Sequence, residues 1–165
     1  MLGQVVIDGL EFAQKGGSLG GTLELGSLER LGDSLASAEG AIEYSIQGVQ
    51  NPRGRPMLRL AVTGTLQLRC QRCLGPLAYP VNLTSALLLL RDESEFADLA
   101  DELEDSVDGI VAQPKMDVGA MVEDEIILSL PYAPRHPPGE CAADAAADRA
   151  AGKVSPMAEL AKLRK

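Results

Sequence analysis

The chain has 165 residues, 45% of them hydrophobic, and its formal net charge at pH 7 is −9. This length and composition predict one folded domain with a substantial core and exclude wholesale disorder. The most apolar run, SALLLL (85–90), is far shorter than the roughly 20 residues of a membrane-spanning helix. The N-terminus lacks the pattern of a signal peptide, and three cysteines are too few for a disulfide framework. A reduced, soluble, cytoplasmic protein without a membrane partner is expected.

Charge is distributed unevenly along the chain. Residues 1–43 carry seven acids and two bases, residues 44–91 carry six arginines and no acid, and residues 92–165 carry seventeen acids and seven bases. Clustered arginines suit bidentate contacts with phosphate, so the middle block predicts an RNA-binding surface. Its predicted RNA-binding residues are Arg53, Arg55, Arg59, Arg69 and Arg72. The alternative is that these arginines pair with the acidic run at 92–108 inside the fold.

The first forty residues predict short elements. VVIDGLEF (5–12) and GTLEL (21–25) are typical of short strands, and the glycine-rich segment between them predicts a flexible turn. SLERLGDSLA (27–36) spaces three leucines at helical intervals behind Ser27, which predicts a short capped helix.

The next fifty residues predict three strands in succession. AIEYSIQGVQ (41–50) and MLRLAVTGTLQLRC (57–70) alternate apolar and polar residues, with Gly64 as a possible bulge. LAYPVNLTSALLLLR (77–91) predicts a returning strand after a cysteine-containing turn. Because short turns join these segments, we expect an antiparallel sheet.

The remainder of the chain predicts one clear helix. The acidic run at 92–108 is typical of a solvated loop or a weak surface helix. MDVGAMVEDEIILSLP (116–131) predicts a helix capped by Asp117, with the acids at 123–125 on its wet side. The predicted fold class is α+β: an antiparallel β-sheet, open or partly closed into a barrel, packed by one main helix, with a flexible C-terminal tail. The predicted domain spans 1–141, and 142–165 form an alanine-rich linker and a basic tail.

A metal site is suggested by LRCQRCLGP (68–76), where Cys70 and Cys73 have the spacing of a zinc knuckle. The only other cysteine, Cys141, and the only histidine, His136, share a proline-rich loop. These four residues would complete a Cys₃His set for a structural zinc. The alternatives are a structural role for free thiols, a redox pair, and a Cys-His nucleophile. A redox pair is disfavoured because the motif joins two hairpin strands, not a strand and a helix.

Two stretches resemble the YceD family, the large ribosomal RNA subunit accumulation proteins: LRCQRCLGPL and, about forty residues later, DVGAMVEDEIILSLPYAPRHPPGEC. The resemblance covers residues 40–141, and SPMAELAKLRK resembles the basic ending of that family. It implies a cytoplasmic factor for synthesis, processing or stability of large-subunit (23S) rRNA in ribosome biogenesis, without catalytic activity. The residues it singles out are Cys70, Arg72, Cys73, the helix at 121–131 and Cys141.

Three function classes follow. Only five aromatic residues are present, so a stacking platform for single-stranded RNA is not expected, and arginine should contact phosphate instead. The predicted partner is large-subunit rRNA or its precursor particle. An alternative is an acidic protein-interaction module that binds or escorts a basic ribosomal protein. A third class is a hydrolase or nuclease that uses the carboxylate cluster and a metal.

Overall fold

A six-stranded β-sheet carries the fold in a computed structural model that describes residues 5–99 and 107–144. In chain order the elements are β1 (Val6–Ile7), α1 (Gly9–Gln14), β2 (Ser18–Glu24), two 3-10 turns (Leu25–Ser27 and Gly32–Ser34), β3 (Leu35–Ser37), β4 (Ala41–Gln50), β5 (Pro56–Arg69), β6 (Pro76–Leu90), α2 (Glu95–Leu99), β7 (Val107–Val111), β8 (Met116–Asp117) and α3 (Val118–Ser129). Part of the predicted acidic run (100–106) and most of the predicted linker and tail (145–165) lie outside the described residues.

The predicted antiparallel sheet and the α+β class are confirmed. The strand order is β2-β4-β5-β6-β7, and β3 pairs with β5 beyond the end of β4. All pairs in this sheet are antiparallel except β6 and β7, which run parallel. The described strands form an open sheet whose edges are β2 and β7, not a closed barrel. A separate two-stranded pair joins β1 to β8.

Alternation along the strands separates an apolar inner face from a polar outer face. The even-numbered positions of β4 and β5 point inward, where the side chains of Ile42, Ile46, Leu60 and Val62 are buried. The inner face packs against α1 and α3, whose buried residues join the same core cluster. Among the described residues, no helix is long and apolar enough to span a membrane.

The outer face is exposed over most of its length. We define it by the outward residues of β4, β5 and β6, of which the exposed polar ones are Glu43, Ser45, Gln47, Arg59, Thr63, Thr65, Arg69, Asn82 and Thr84. At the end nearest the β4–β5 turn, α2 covers this face through a small apolar cluster of Met57, Leu88, Leu90 and Leu99. On the rest of the outer face, polar side chains alternate with alanine and proline.

Helix α3 lies where the sequence predicts it, but one residue of its predicted solvent-facing side is buried. Asp117 caps it, because its carboxylate accepts the Ala120 N–H at 3.2 Å. Glu123, predicted on the wet side, is buried instead, with 6% of its surface exposed. Its carboxylate accepts the backbone N–H groups of Arg30 at 2.7 Å and Leu31 at 3.0 Å. The Arg30 guanidinium pairs with both Glu123 and Asp124, so α3 is tied to the chain before β3.

Three predicted local elements are wrong, and the flexible turn predicted in the glycine-rich segment ends early because β2 begins at Ser18. The segment 5–12 holds only the short β1, and Asp8 then caps α1 by accepting the Glu11 N–H at 2.9 Å. The predicted helix at 27–36 consists of 3-10 turns and the start of β3. Gly32 lowers the helix propensity there, and Glu123 supplies the acceptors for the local N–H groups. The register runs through Gly64 without a bulge.

Glu123 provides a test of this internal ion pair. Replacing Glu123 by Ala would leave the backbone N–H groups of Arg30 and Leu31 and the Arg30 Nε–H without their acceptor. We expect the free energy of unfolding to fall by about 2–4 kcal/mol, measured by denaturant titration. Asp124→Ala removes the exposed partner of the same arginine and should change stability little. Equal losses of stability in the two variants would contradict the importance of the buried carboxylate.

Gly48 allows α1 to approach the sheet closely. A Cβ at this position would lie 2.4 Å from the Phe12 carbonyl oxygen and 2.7 Å from the Ala13 Cα. Gly48→Ala should therefore lower the free energy of unfolding by about 1–3 kcal/mol in a thermal or denaturant melt. Gly32→Ala is the control, since nothing lies within 4 Å of a Cβ there. The prediction fails if Gly48→Ala melts like the wild type.

Candidate metal centre

The turn between β5 and β6 brings two cysteine sulfurs together. Cys70 follows the last residue of β5, and its backbone N–H donates to the Gly75 carbonyl at 2.9 Å. The Leu74 N–H donates back to the Cys70 carbonyl at 2.9 Å, and Leu74 adopts a left-handed φ of 61°. This tight reversal holds Cys73 beside Cys70 in the manner of a zinc knuckle.

The loop after α3 delivers the other two predicted ligands. It is fixed to the knuckle by the Gln71 N–H, which donates to the Pro134 carbonyl at 2.8 Å. His136 Nε2 lies 2.9 Å from the Pro76 carbonyl oxygen, which can only accept, so Nε2 carries the proton. The lone pair is then on Nδ1, which lies 3.5 Å from Cys73 Sγ. A histidine ligand oriented by a carbonyl at its other nitrogen is typical of metal sites.

The four donor atoms have the spacing of a tetrahedral site. The ligand atoms of Cys70, Cys73, His136 and Cys141 all lie within 4.8 Å of one another, and the sulfurs of Cys70 and Cys141 are 4.0 Å apart. Zinc bond lengths of about 2.3 Å to sulfur and 2.0–2.1 Å to nitrogen imply tetrahedral edges of roughly 3.8 Å and 3.6 Å. The donors are thus arranged to hold one small cation.

Local dipoles favour a thiolate at Cys70. The backbone N–H of Cys73, followed by that of Arg72, lowers the pKa of the Cys70 thiol to about 5, although burial opposes the shift. Burial raises the pKa of Cys141, and hydrogen bonding to the Pro76 carbonyl raises the pKa of His136. Because metal ligands must be deprotonated, a cation bound here would release protons.

The surroundings weaken a redox role for the knuckle and a catalytic role for Cys70 and Cys141. The knuckle connects two antiparallel strands, whereas thioredoxin-type pairs lie where a strand meets a helix. Cys70 has no exposed surface and Cys141 only 3%, so neither sulfur is open to a substrate. Of the four donors, Cys73 and His136 are the partly exposed ones.

Comparison with known proteins gives the family. The family described as large ribosomal RNA subunit accumulation protein YceD matches residues 58–164, a stretch that contains all four donors and α3. The chain belongs to the YceD family. The resemblance noted in the sequence is therefore confirmed, although the YceD match begins inside β5 and leaves β2 and β4 outside it. No solved structure matches the chain.

The predicted RNA-binding arginines of this YceD protein form two groups instead of one patch. Arg53 and Arg55 lie in the turn between β4 and β5, and Arg59 lies near the start of β5. Arg69 and Arg72 lie at the knuckle, at the other end of the strand. The stretch of strand from Arg59 to Arg69 extends about 34 Å. Neighbours in the sequence are thus far apart in the fold.

The two groups also differ in their partners. Arg72 forms an ion pair with Asp144, which also accepts the Gly139 N–H at 3.0 Å, so this arginine connects the knuckle to the His136 loop. Arg69 donates to the Leu35 carbonyl at 3.4 Å. Arg55 lines a cleft together with Glu95 and Asp98 of α2, two residues of the acidic run. Arg59 is exposed on the outer face.

Sequence reasoning missed two supports of the site. The Pro76 carbonyl that orients His136 has no sequence signal, because any residue carries a carbonyl. Asp144 falls inside the predicted linker, and its only signal is an acid three residues after Cys141. The Arg30–Glu123 pair escaped prediction for a similar reason, since its partners are distant in the sequence.

Proposed function

We propose that this protein is a non-enzymatic factor for synthesis, processing or stability of large-subunit (23S) rRNA, acting in the cytoplasm during ribosome biogenesis. The observation that carries the proposal is the YceD match over residues 58–164. Its partner is the rRNA or the precursor particle of the large subunit. The exposed arginines at the two ends of β5 support the proposal, because they can neutralise phosphates.

The carboxylates of α3 support a non-enzymatic role. Glu123 and Asp124 bind Arg30, and Glu125 accepts the Ser85 hydroxyl, so all three carboxylates are engaged by other groups of the fold. A hydrolase built on this cluster would need these groups for a metal or a water. Their structural engagement therefore disfavours that third class.

We further propose that Cys70, Cys73, His136 and Cys141 bind a structural zinc ion. The support is the spacing of the four donors and the carbonyl that orients His136. Zinc here would cross-link the β5–β6 turn to the loop after α3. That loop has mostly exposed residues and little apolar packing of its own, so the cation would contribute directly to its stability.

Zinc content tests the metal proposal. Purified protein should hold close to one zinc per chain by elemental analysis, and Cys73→Ser should release it and lower the melting temperature. Gln71→Ala changes an exposed residue of the same turn and should keep the metal. Wild-type protein that contains no zinc, and whose melting is unchanged after chelation and zinc addition, would refute the proposal.

Charge removal tests the RNA proposal. Replacing Arg53, Arg55 and Arg59 by Gln should weaken binding to a 23S rRNA fragment. It should also reduce the dependence of log K on log salt by roughly 0.7–0.9 for each phosphate that is no longer neutralised. The measurement is fluorescence anisotropy at several salt concentrations.

A second charge-removal variant separates specific contacts from net charge. Lys15 and Lys115 are exposed and belong to neither arginine group, so their change to Gln should leave the salt slope nearly unaltered. If the triple arginine variant keeps its affinity but melts earlier, these arginines serve as internal partners of the acidic run instead.

A second candidate is an acidic module that binds or escorts a basic ribosomal protein. Asp92, Glu93 and Asp98 are exposed in and beside α2, and the whole chain carries −9, which favours a basic partner. The same anisotropy titration with isolated large-subunit ribosomal proteins distinguishes the two candidates. Tight protein binding together with no RNA binding would favour this second function.

A further inference from the structure

The outer face has an unusual chemical composition along β5 and β6. Between Arg59 and Arg69 the outward side chains of β5 are Ala61, Thr63, Thr65 and Gln67. Opposite them on β6 lie Thr84, Asn82, Pro80 and Ala78. These positions hold no acid and no large apolar side chain. Five of these eight positions carry a hydroxyl or amide group, the other three carry only alanine or proline, and an arginine lies at each end. On the neighbouring strand β4, the exposed Glu43 lies opposite Thr63.

This composition does not fit a protein partner. The buried centre of a protein–protein interface is rich in aromatic and other large apolar residues, and the centre of this surface has neither. Thr63, Thr65, Asn82 and Thr84 are all exposed, and each offers a small hydrogen-bonding group at the surface.

Single-stranded RNA does not fit either. Such RNA is bound by stacking its bases on aromatic side chains. The tyrosines of this sheet face the other way: Tyr44 is buried in the inner core, and Tyr79 packs against the same core. Among the outward positions of β4, β5 and β6 there is no aromatic residue.

Duplex RNA matches the chemistry of this surface and the small size of its side chains. The minor groove of an A-form helix is wide and shallow, and it displays 2′-hydroxyl groups that both donate and accept hydrogen bonds. Small threonine and asparagine side chains allow the sugars to approach and supply complementary groups. Arg59 and Arg69, about 34 Å apart, are placed for the flanking phosphates.

We propose that the outer face binds double-stranded RNA across its minor groove and recognises it by shape and by the 2′-hydroxyl groups. This inference rests on the proposed rRNA function and names the form of RNA that the protein contacts. Recognition would be largely independent of base sequence, because the minor groove carries little sequence information.

The test compares three probes of one sequence: a 20-base-pair RNA duplex, the DNA duplex, and the single RNA strand. The variant is Thr63→Val, Thr65→Val and Thr84→Val, which removes three hydroxyls without changing charge or strand propensity. We expect its affinity for duplex RNA to fall at least about tenfold, while its affinity for duplex DNA and the salt slope stay unchanged.

The control removes three hydroxyls from the helix side of the sheet. Ser27 and Ser34 line clefts against the α3 region and Ser129 belongs to α3, so the variant Ser27→Ala, Ser34→Ala and Ser129→Ala should bind all three probes like the wild type. A second variant, Thr63→Glu, adds a carboxylate beside Glu43 and should weaken duplex RNA binding more than the valine variant does. Its control is Ser34→Glu, which adds the same charge at another exposed site.

The outcomes separate this inference from the proposed function. One outcome is that the wild type binds a 23S rRNA fragment while the outer-face variants keep the wild-type affinity for duplex RNA. In that case the outer face is not the RNA-binding surface, and the proposed rRNA function stands. Preference for the single strand, or equal affinity for duplex DNA, also overturns the inference. If the wild type binds no RNA, both the proposed function and this surface fail.

Discussion

The central strand β5 is the element on which the rest of the molecule depends. It pairs with β6 on one side, and with β4 and then β3 on the other, so its backbone hydrogen bonds are used on both sides. A strand paired in this way has a fixed register, and a slip of one residue would exchange its two faces. The inner core, the polar outer face and the metal ligands all follow from that register.

The register of β5 also explains how the four candidate metal ligands come together. Leu68 points inward and Arg69 outward, so Cys70, the next residue, returns to the inner side and is buried. Helix α3 packs on that same inner side, and the loop that follows it therefore arrives where Cys70 lies. Two segments that are distant in the sequence meet because both are placed by one sheet face.

Long, strongly alternating segments are the parts of the fold that the sequence predicts well. The strands β4, β5 and β6 and the helix α3 each repeat their pattern over ten residues or more. The helix predicted at 27–36 is wrong because its leucines are buried in irregular turns, where helical spacing arises by coincidence. The predicted exposure of Glu123 is wrong because its burial depends on Arg30, and periodicity cannot reveal a partner that far away.

The candidate metal centre also has parts that the sequence predicts and parts that it does not. Its four donors were predictable because the chain has only three cysteines and one histidine, which leaves little choice. The arginines were not predictable as a surface, because residues close in sequence spread along an extended strand at about 3.3 Å each. The carbonyl of Pro76 and the side chain of Asp144 complete the site through tertiary contacts alone.

The pairing of β1 with β8 has a consequence for the order of folding. β4, β5 and β6 are neighbours both in the chain and in the sheet, so they need only short loops to close. Val6, in contrast, pairs with Asp117 near the far end of the described chain. During synthesis from the N-terminus, β1 must remain without its partner until the residues before α3 have left the ribosome. Of the described strands, β1 is the first to be made and is therefore among the last to pair.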